Sequence, residues 1–178
     1  LSVIGEIGQT VEDQVKKVIQ MHHLARNFAQ QIEKKVEEND LVEIFGPTFK
    51  YKNIYLGKLQ DEEVVSIEEF IPGEFRKYIN NDGMICGEES DQLVQKAGCL
   101  THYSYIQSKK QVMVVDVQGV ETNLFDPEIA STMLTDQSEV MFTAGNPSQE
   151  AIDQFIASHT CNFFCQCLDL SPFGNKDQ

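Results

Sequence analysis

No stretch of the 178-residue chain comes near the run of about eighteen apolar residues that a membrane span requires. The first eight residues, Leu1 to Gly8, lack the positive flank and apolar centre of a secretory signal. Basic side chains are scarce as well, with 14 Lys plus Arg against 28 Asp plus Glu and a net charge of −14. That balance argues against a nucleic-acid or anionic-membrane surface and suits a basic protein partner. A disulfide framework is also missing: the five cysteines are odd in number, and three crowd together as Cys161, Cys165 and Cys167. A cytoplasmic, reducing location is the expectation. With no internal repeat, low-complexity segment or long linker, the chain has room for one compact domain or two small lobes around a real core.

What is present centres on Gln111 to Pro127. Apolar residues at 112 to 115, 117 and 120 predict a short, β-branched, buried strand stopped at Gly119. Asp116 inside that run needs a partner, because an unpaired buried carboxylate costs several kcal/mol. Asp126, set before Pro127 in an expected extended loop, supplies a second acid that reaches the same point if the chain turns at Gly119. Two carboxylates and the carboxamide of Gln118 are the oxygen donors that a magnesium ion on nucleotide phosphates takes. A strand-closing hydrogen bond at Asp116 and an Asx-turn at Asp126 would account for the same spacing.

Around this centre, Thr10 predicts the cap of a long helix whose stripe is Val11, Val15, Val18, Ala25, Ala29, Ile32 and Val36, ending at Glu37 to Asp40. His22 reads as a stripe-edge imidazole and His23 as a solvated one. Residues 41–45, 49–57 and 61–71 read as three strands of a small antiparallel sheet. A short helix is predicted from Glu74 to Ile79, and a second long one from about Ser90 through Leu93, Val94, Ala97, Leu100 and on to Tyr105. The last helix follows Ser148 and carries Ile152, Phe155 and Ile156.

The sharper motif is His159-Thr-Cys161-Asn-Phe-Phe-Cys165. Cys161 and Cys165, four apart, would share a helix face, with His159 approaching from the preceding turn. Three such ligands within seven residues fit a tetrahedral zinc with a fourth ligand from elsewhere. His102 is the leading candidate, with Cys167, His22 and Cys99 as alternates. Four protein ligands would make the site closed and structural. Free thiols at a cysteine-rich helix end would be the plainer explanation.

In chain order, the runs Ile67 to Asn81, Leu100 to Tyr105, Val114 to Val120, Asp126-Pro127 and His159 to Cys165 resemble the alpha-kinase family of atypical serine/threonine protein kinases. The resemblance implies an α+β, two-lobed protein-kinase-like fold. Residues 1–66 would form the later part of the N-lobe, a long helix plus a small sheet, and residues 67–178 the C-lobe with a structural zinc. It implies transfer of the γ-phosphoryl of ATP to a Ser or Thr hydroxyl of a protein. Asp116 would sit beside the attacking hydroxyl, Lys77 would stabilise phosphate charge, and Gln118 and Asp126 would hold magnesium. Asn81 would support that site, Glu68 would face the adenine at the hinge, and Asn146 belongs to the loop over the nucleotide. His102, His159, Cys161 and Cys165 match the family's zinc ligands.

Two departures set the alternative. The family's nucleotide lysine lies on a strand before the long helix, and none of the residues before Thr10 is a lysine, so the N-lobe is expected to be incomplete. In Thr143 to Ser148, Gly145 and Asn146 keep the family's loop pattern, but flanking glycines are replaced and Pro147 removes a backbone donor. A zinc-stabilised pseudokinase or binding module without phosphotransfer is therefore the competing expectation, followed by a zinc-binding interaction domain with no nucleotide site.

Overall fold

Helix α1 (Val11–Glu38) starts with a reciprocal cap. The Thr10 hydroxyl accepts from the Asp13 N–H at 3.1 Å, and the Asp13 carboxylate accepts from the Thr10 N–H at 3.0 Å. This satisfies two backbone donors that a helix start otherwise leaves open. The computed structural model describes residues 10–131, 135, 136, 139, 140 and 148–174. Met21, Ala25, Phe28, Ala29, Ile32 and Val36 line the buried stripe of α1 at helical spacing. The stripe begins later than expected, since Val11 is 42% exposed.

Three expected elements change character. Residues 41–45 form no strand: the N–H groups of Phe45 and Gly46 donate to the carbonyls of Leu41 and Val42 at 2.7 and 2.9 Å, making a helical turn, α2 (Val42–Phe45), that buries only Phe45. The strand expected over 49–57 is two pieces, β1 (Lys50–Tyr51) and β2 (Ile54–Lys58). Strand β3 (Val64–Glu68), shorter than the expected 61–71, pairs antiparallel with β2 from Ile54 opposite Glu68 to Lys58 opposite Val64. The predicted helix from Glu74 is instead strand β4 (Arg76–Lys77).

Asp91 caps helix α3 (Gln92–Gln107), its side chain accepting from the Leu93 N–H at 2.8 Å. The helix is buried almost continuously from Val94 to Tyr105 and packs against α1 and the following strand. The apolar run that reads as one strand divides into β5 (Val112–Val115) and β6 (Gln118–Val120), with β7 (Asn123–Leu124) and β8 (Glu128–Ser131) after them. Strand β5 pairs antiparallel with β8, whereas β6 joins a four-stranded sheet in the order β1-β7-β6-β4. Within it β1 and β7 are parallel and the other neighbours antiparallel. A Cβ on Gly119 would lie 2.1 Å from the Asn123 carbonyl oxygen, so only glycine allows β6 and β7 to approach this closely. Strands β9 (Thr135–Asp136) and β10 (Glu139–Val140) pair with each other. Helices α4 (Ser148–Ser158) and α5 (Phe163–Cys167) complete the chain. No helix among the described residues is long and apolar enough to cross a membrane.

Candidate active site and metal centre

The strand switch between β5 and β6 is made at Asp116, which has φ 51°. Aspartate is one of the few residues that enter this left-handed region readily. The kink lets the chain leave one sheet and join another, and the segment after β4 is stitched to it. The Asp116 N–H donates to the Asn80 carbonyl at 3.3 Å, and the N–H groups of Tyr78 and Ile79 both donate to the Val117 carbonyl, at 2.8 and 3.1 Å. The register that pairs Lys77 with Gln118 sets both side chains beside Asp116.

The Lys77 ammonium lies 2.6 Å from Asp116 Oδ1. Gln118 Nε2 donates to Asp116 Oδ2 at 3.2 Å and to the Asp126 carbonyl at 3.1 Å, which leaves Oε1 as the atom a cation could take. Asp126 has φ 49°, so the loop before Pro127 is left-handed there and not extended as expected. Burial raises the Asp126 carboxyl above its usual range, and the charges of Glu68 and Asp116 push it further the same way. Glu128 is raised likewise by burial, then by Asp116 and Asp126. The two acids of the central stretch therefore feel each other across one small space. With Glu68 and Glu128 they form a cluster of carboxylates, in which Asp116 is paired with Lys77 and Glu68 faces His22.

Glu68 ends β3, with Oε1 3.4 Å from His22 Nδ1. His22 is not at the stripe edge: it is fully buried and its Nε2 lies 2.7 Å from the Lys52 carbonyl oxygen. Asn81 sits exposed in the turn at 80–83, and its neighbour Asn80 makes the backbone contact to Asp116. Asn146 and the loop around it lie outside the described residues. Glu128 and His22 were missed from sequence. Glu128 had a usable signal, as the acid two residues after Asp126; His22 had none, because its neighbours, the Lys52 carbonyl between β1 and β2 and Glu68 at the end of β3, are distant in sequence.

The second cluster joins His102 of α3, His159 just after α4, and Cys161 and Cys165 at the start of α5. One ligand atom from each lies within 4.8 Å of every other. Cys161 Sγ is 3.6 Å from His102 Nδ1, and Cys165 Sγ is 3.5 Å from His159 Nε2. Tetrahedral zinc, with bonds of about 2.0 to 2.3 Å, sets neighbouring N and S ligands about 3.5 Å apart, so the donor set and its spacing fit that ion. The cysteines do not share a helix face. Cys161 precedes Asn162, whose side chain caps α5 by accepting from the N–H groups of Phe164 and Cys165 at 3.0 and 3.2 Å. The Asn162 amide also donates to the Gln95 carbonyl of α3 at 2.9 Å, which fixes the approach of the two segments. The Cys165 thiol is held far below its ordinary range by a hydrogen bond from Cys99 and then by the imidazoles of His102 and His159, against the effect of burial. Among the alternates for the fourth ligand, Cys99 is a neighbour of Cys165 but stands outside the four, as do Cys167 and His22.

A model of the alpha-kinase family matches residues 3–165. The chain belongs to the alpha-kinase family. Myosin heavy chain kinase B of Dictyostelium discoideum is 27% identical over 70% of this chain and 16% of that protein. Eukaryotic elongation factor 2 kinase of Rattus norvegicus is 32% identical over 67% of this chain and 16% of that protein. The alpha-kinase domain of myosin heavy chain kinase A solved in complex with ADP superposes with a TM-score of 0.72 at 25% identity, covering 92% of this chain and 60% of that domain. This alpha-kinase chain thus spans about a sixth of the length of those two curated relatives and less than two thirds of the solved domain.

The raised carboxyl of Asp126 generates a prediction about the ligand-free protein. A carboxyl whose folded pKa lies above its unfolded value favours folding at acid pH, and that contribution is lost as the pH rises through the folded pKa. Replacing Asp126 with Asn, which tolerates the same backbone conformation, should therefore raise the thermal midpoint at neutral pH, with a gain that shrinks as the pH is lowered through the carboxylate range. An unchanged or lowered midpoint at neutral pH would contradict the crowding of charge.

Proposed function

We propose that the chain is an alpha-type protein serine/threonine kinase domain that transfers the γ-phosphoryl of ATP to a protein hydroxyl. The observation that carries this reading is the convergence of Lys77, Asp116, Gln118 and Asp126 on one pocket within an alpha-kinase fold. Solved relatives that bind ADP support the nucleotide. In this reading residues 1–66 belong to the N-lobe and residues 67–178 to the C-lobe.

Gln118 Oε1 and the Asp126 carboxylate would hold magnesium, which screens phosphate charge when bound. The Asp116 carboxylate would orient the acceptor hydroxyl and take its proton as the new O–P bond forms and ADP departs. Lys77, now paired to Asp116, would turn toward phosphate oxygen when the anion arrives, since charge developing there attracts the ammonium. Glu68 would face the base, Asn81 would support the phosphate site from its turn, and Asn146 would serve in the overlying loop. The excess of acid favours a basic protein substrate.

Zinc would be the ion of the His102, His159, Cys161 and Cys165 cluster. Its binding energy would join α3 to the segment holding α4 and α5, and so would count as folding energy. The reduced thiols fit a cytoplasmic setting.

Transfer of radiolabelled phosphate from ATP to a basic protein, measured with the full-length protein, tests the main reading. Asp116→Ala should reduce the rate by about a hundredfold or more; transfer unchanged by that substitution would overturn it. For the metal, elemental analysis should find one zinc per chain, and both chelation and Cys165→Ser should lower the unfolding midpoint. A zinc content far below one, with stability indifferent to Cys165, would remove the assignment.

A further inference from the structure

His22 has no place in the chemistry described above, yet it is a fully buried imidazole aimed at the acid pocket. Burying a polar ring is unfavourable unless both nitrogens find partners. Nε2 has one, since it lies 2.7 Å from the Lys52 carbonyl oxygen, an atom that can only accept; the proton on that nitrogen is therefore fixed. Nδ1 is left facing the Glu68 carboxylate at 3.4 Å, with no hydrogen-bond partner of ordinary geometry among the described residues. Tyr51 packs edge-on against the ring, with centroids 5.5 Å apart.

We infer that His22 is a positioning residue for Glu68, holding the end of β3 in the orientation that receives the nucleotide. The Lys52 carbonyl anchors the ring on one side while its other edge stands against the Glu68 carboxylate, so the placement of the ring limits where the carboxylate can lie. One buried ring on α1 thus touches the last residue of β3. The inference rests on the kinase reading for the identity of the ligand, but its geometry is independent of phosphotransfer.

Two isosteric substitutions separate positioning from packing. Gln at position 22 keeps a donor for the Lys52 carbonyl and loses the group facing Glu68, while Asn keeps a donor toward Glu68 and loses the Lys52 contact. In the full-length protein, His22→Gln should raise the KM for ATP and the Kd for magnesium-ADP about tenfold, with kcat within about twofold of the parent, as expected for loss of a contact that orients a ligand-binding side chain without touching the reacting atoms. His22→Asn should restore much of the affinity, and His22→Gln should add little to the effect of Glu68→Gln. If both His22 variants lose affinity in proportion to lost thermal stability, or if His22→Gln binds magnesium-ADP as the parent does, the positioning role is wrong while the kinase reading stands. If the parent protein itself fails to bind magnesium-ADP, both readings fall.

Discussion

A lysine and an aspartate 2.6 Å apart hold the centre of this molecule together. Asp116 is only 8% exposed, and left alone there its charge would cost several kcal/mol. The Lys77 ammonium offsets that cost, and it is in reach only because β4 pairs with β6 in the register that sets Lys77 opposite Gln118. The left-handed turn at Asp116 is what lets β5 and β6 serve two different sheets, so the same residue that carries the charge also directs the chain. Glu68, Asp126 and Glu128 crowd the same space, where burial and mutual repulsion raise the carboxyls of Asp126 and Glu128. Charge crowding of this kind costs stability locally.

The His and Cys cluster plays the complementary part at a distance from that chemistry. Helix α3 carries His102 and also grips the central strand, through the Ser104 hydroxyl that accepts from the Val114 N–H at 2.9 Å. An ion held by His102, His159, Cys161 and Cys165 would fasten the end of the chain to the helix that supports β5. The aromatic rings of Phe155 and Phe173, at 4.8 and 4.0 Å from His159 and His102, wall the cluster with apolar surface.

Much of this was legible in the sequence where local pattern and tertiary demand agree. The cap at Thr10, most of the helical stripe of α1 and a helix from about Ser90 to Tyr105 follow from spacing and residue chemistry, and His102 lies beside His159, Cys161 and Cys165 as its leading place among the candidates required. The misreadings arise where a distant partner decides. Glu74 to Ile79 has the local composition of a helix, yet pairing of Arg76 and Lys77 with β6 overrides it. The apolar run around Asp116 hides a switch between two sheets, because every residue from Val112 to Val120 is buried and no alternation marks the break. Two cysteines four apart suggested one helix, but the Asn162 cap starts the helix between them. His22 looked peripheral because the carbonyl and the carboxylate that it faces come from a loop and a strand end thirty or more residues along the chain.

The central claim is that Gln118 and Asp126 grip one nucleotide-borne cation beside Asp116. Manganese added with ADP to the full-length protein, in place of magnesium, reports this by broadening nearby nuclear resonances. The account predicts selective loss of the Gln118 side-chain amide signal together with the Asp126 backbone signal, abolished by Asp126→Ala. Broadening that spares Gln118, or that survives removal of the Asp126 carboxylate, would contradict it.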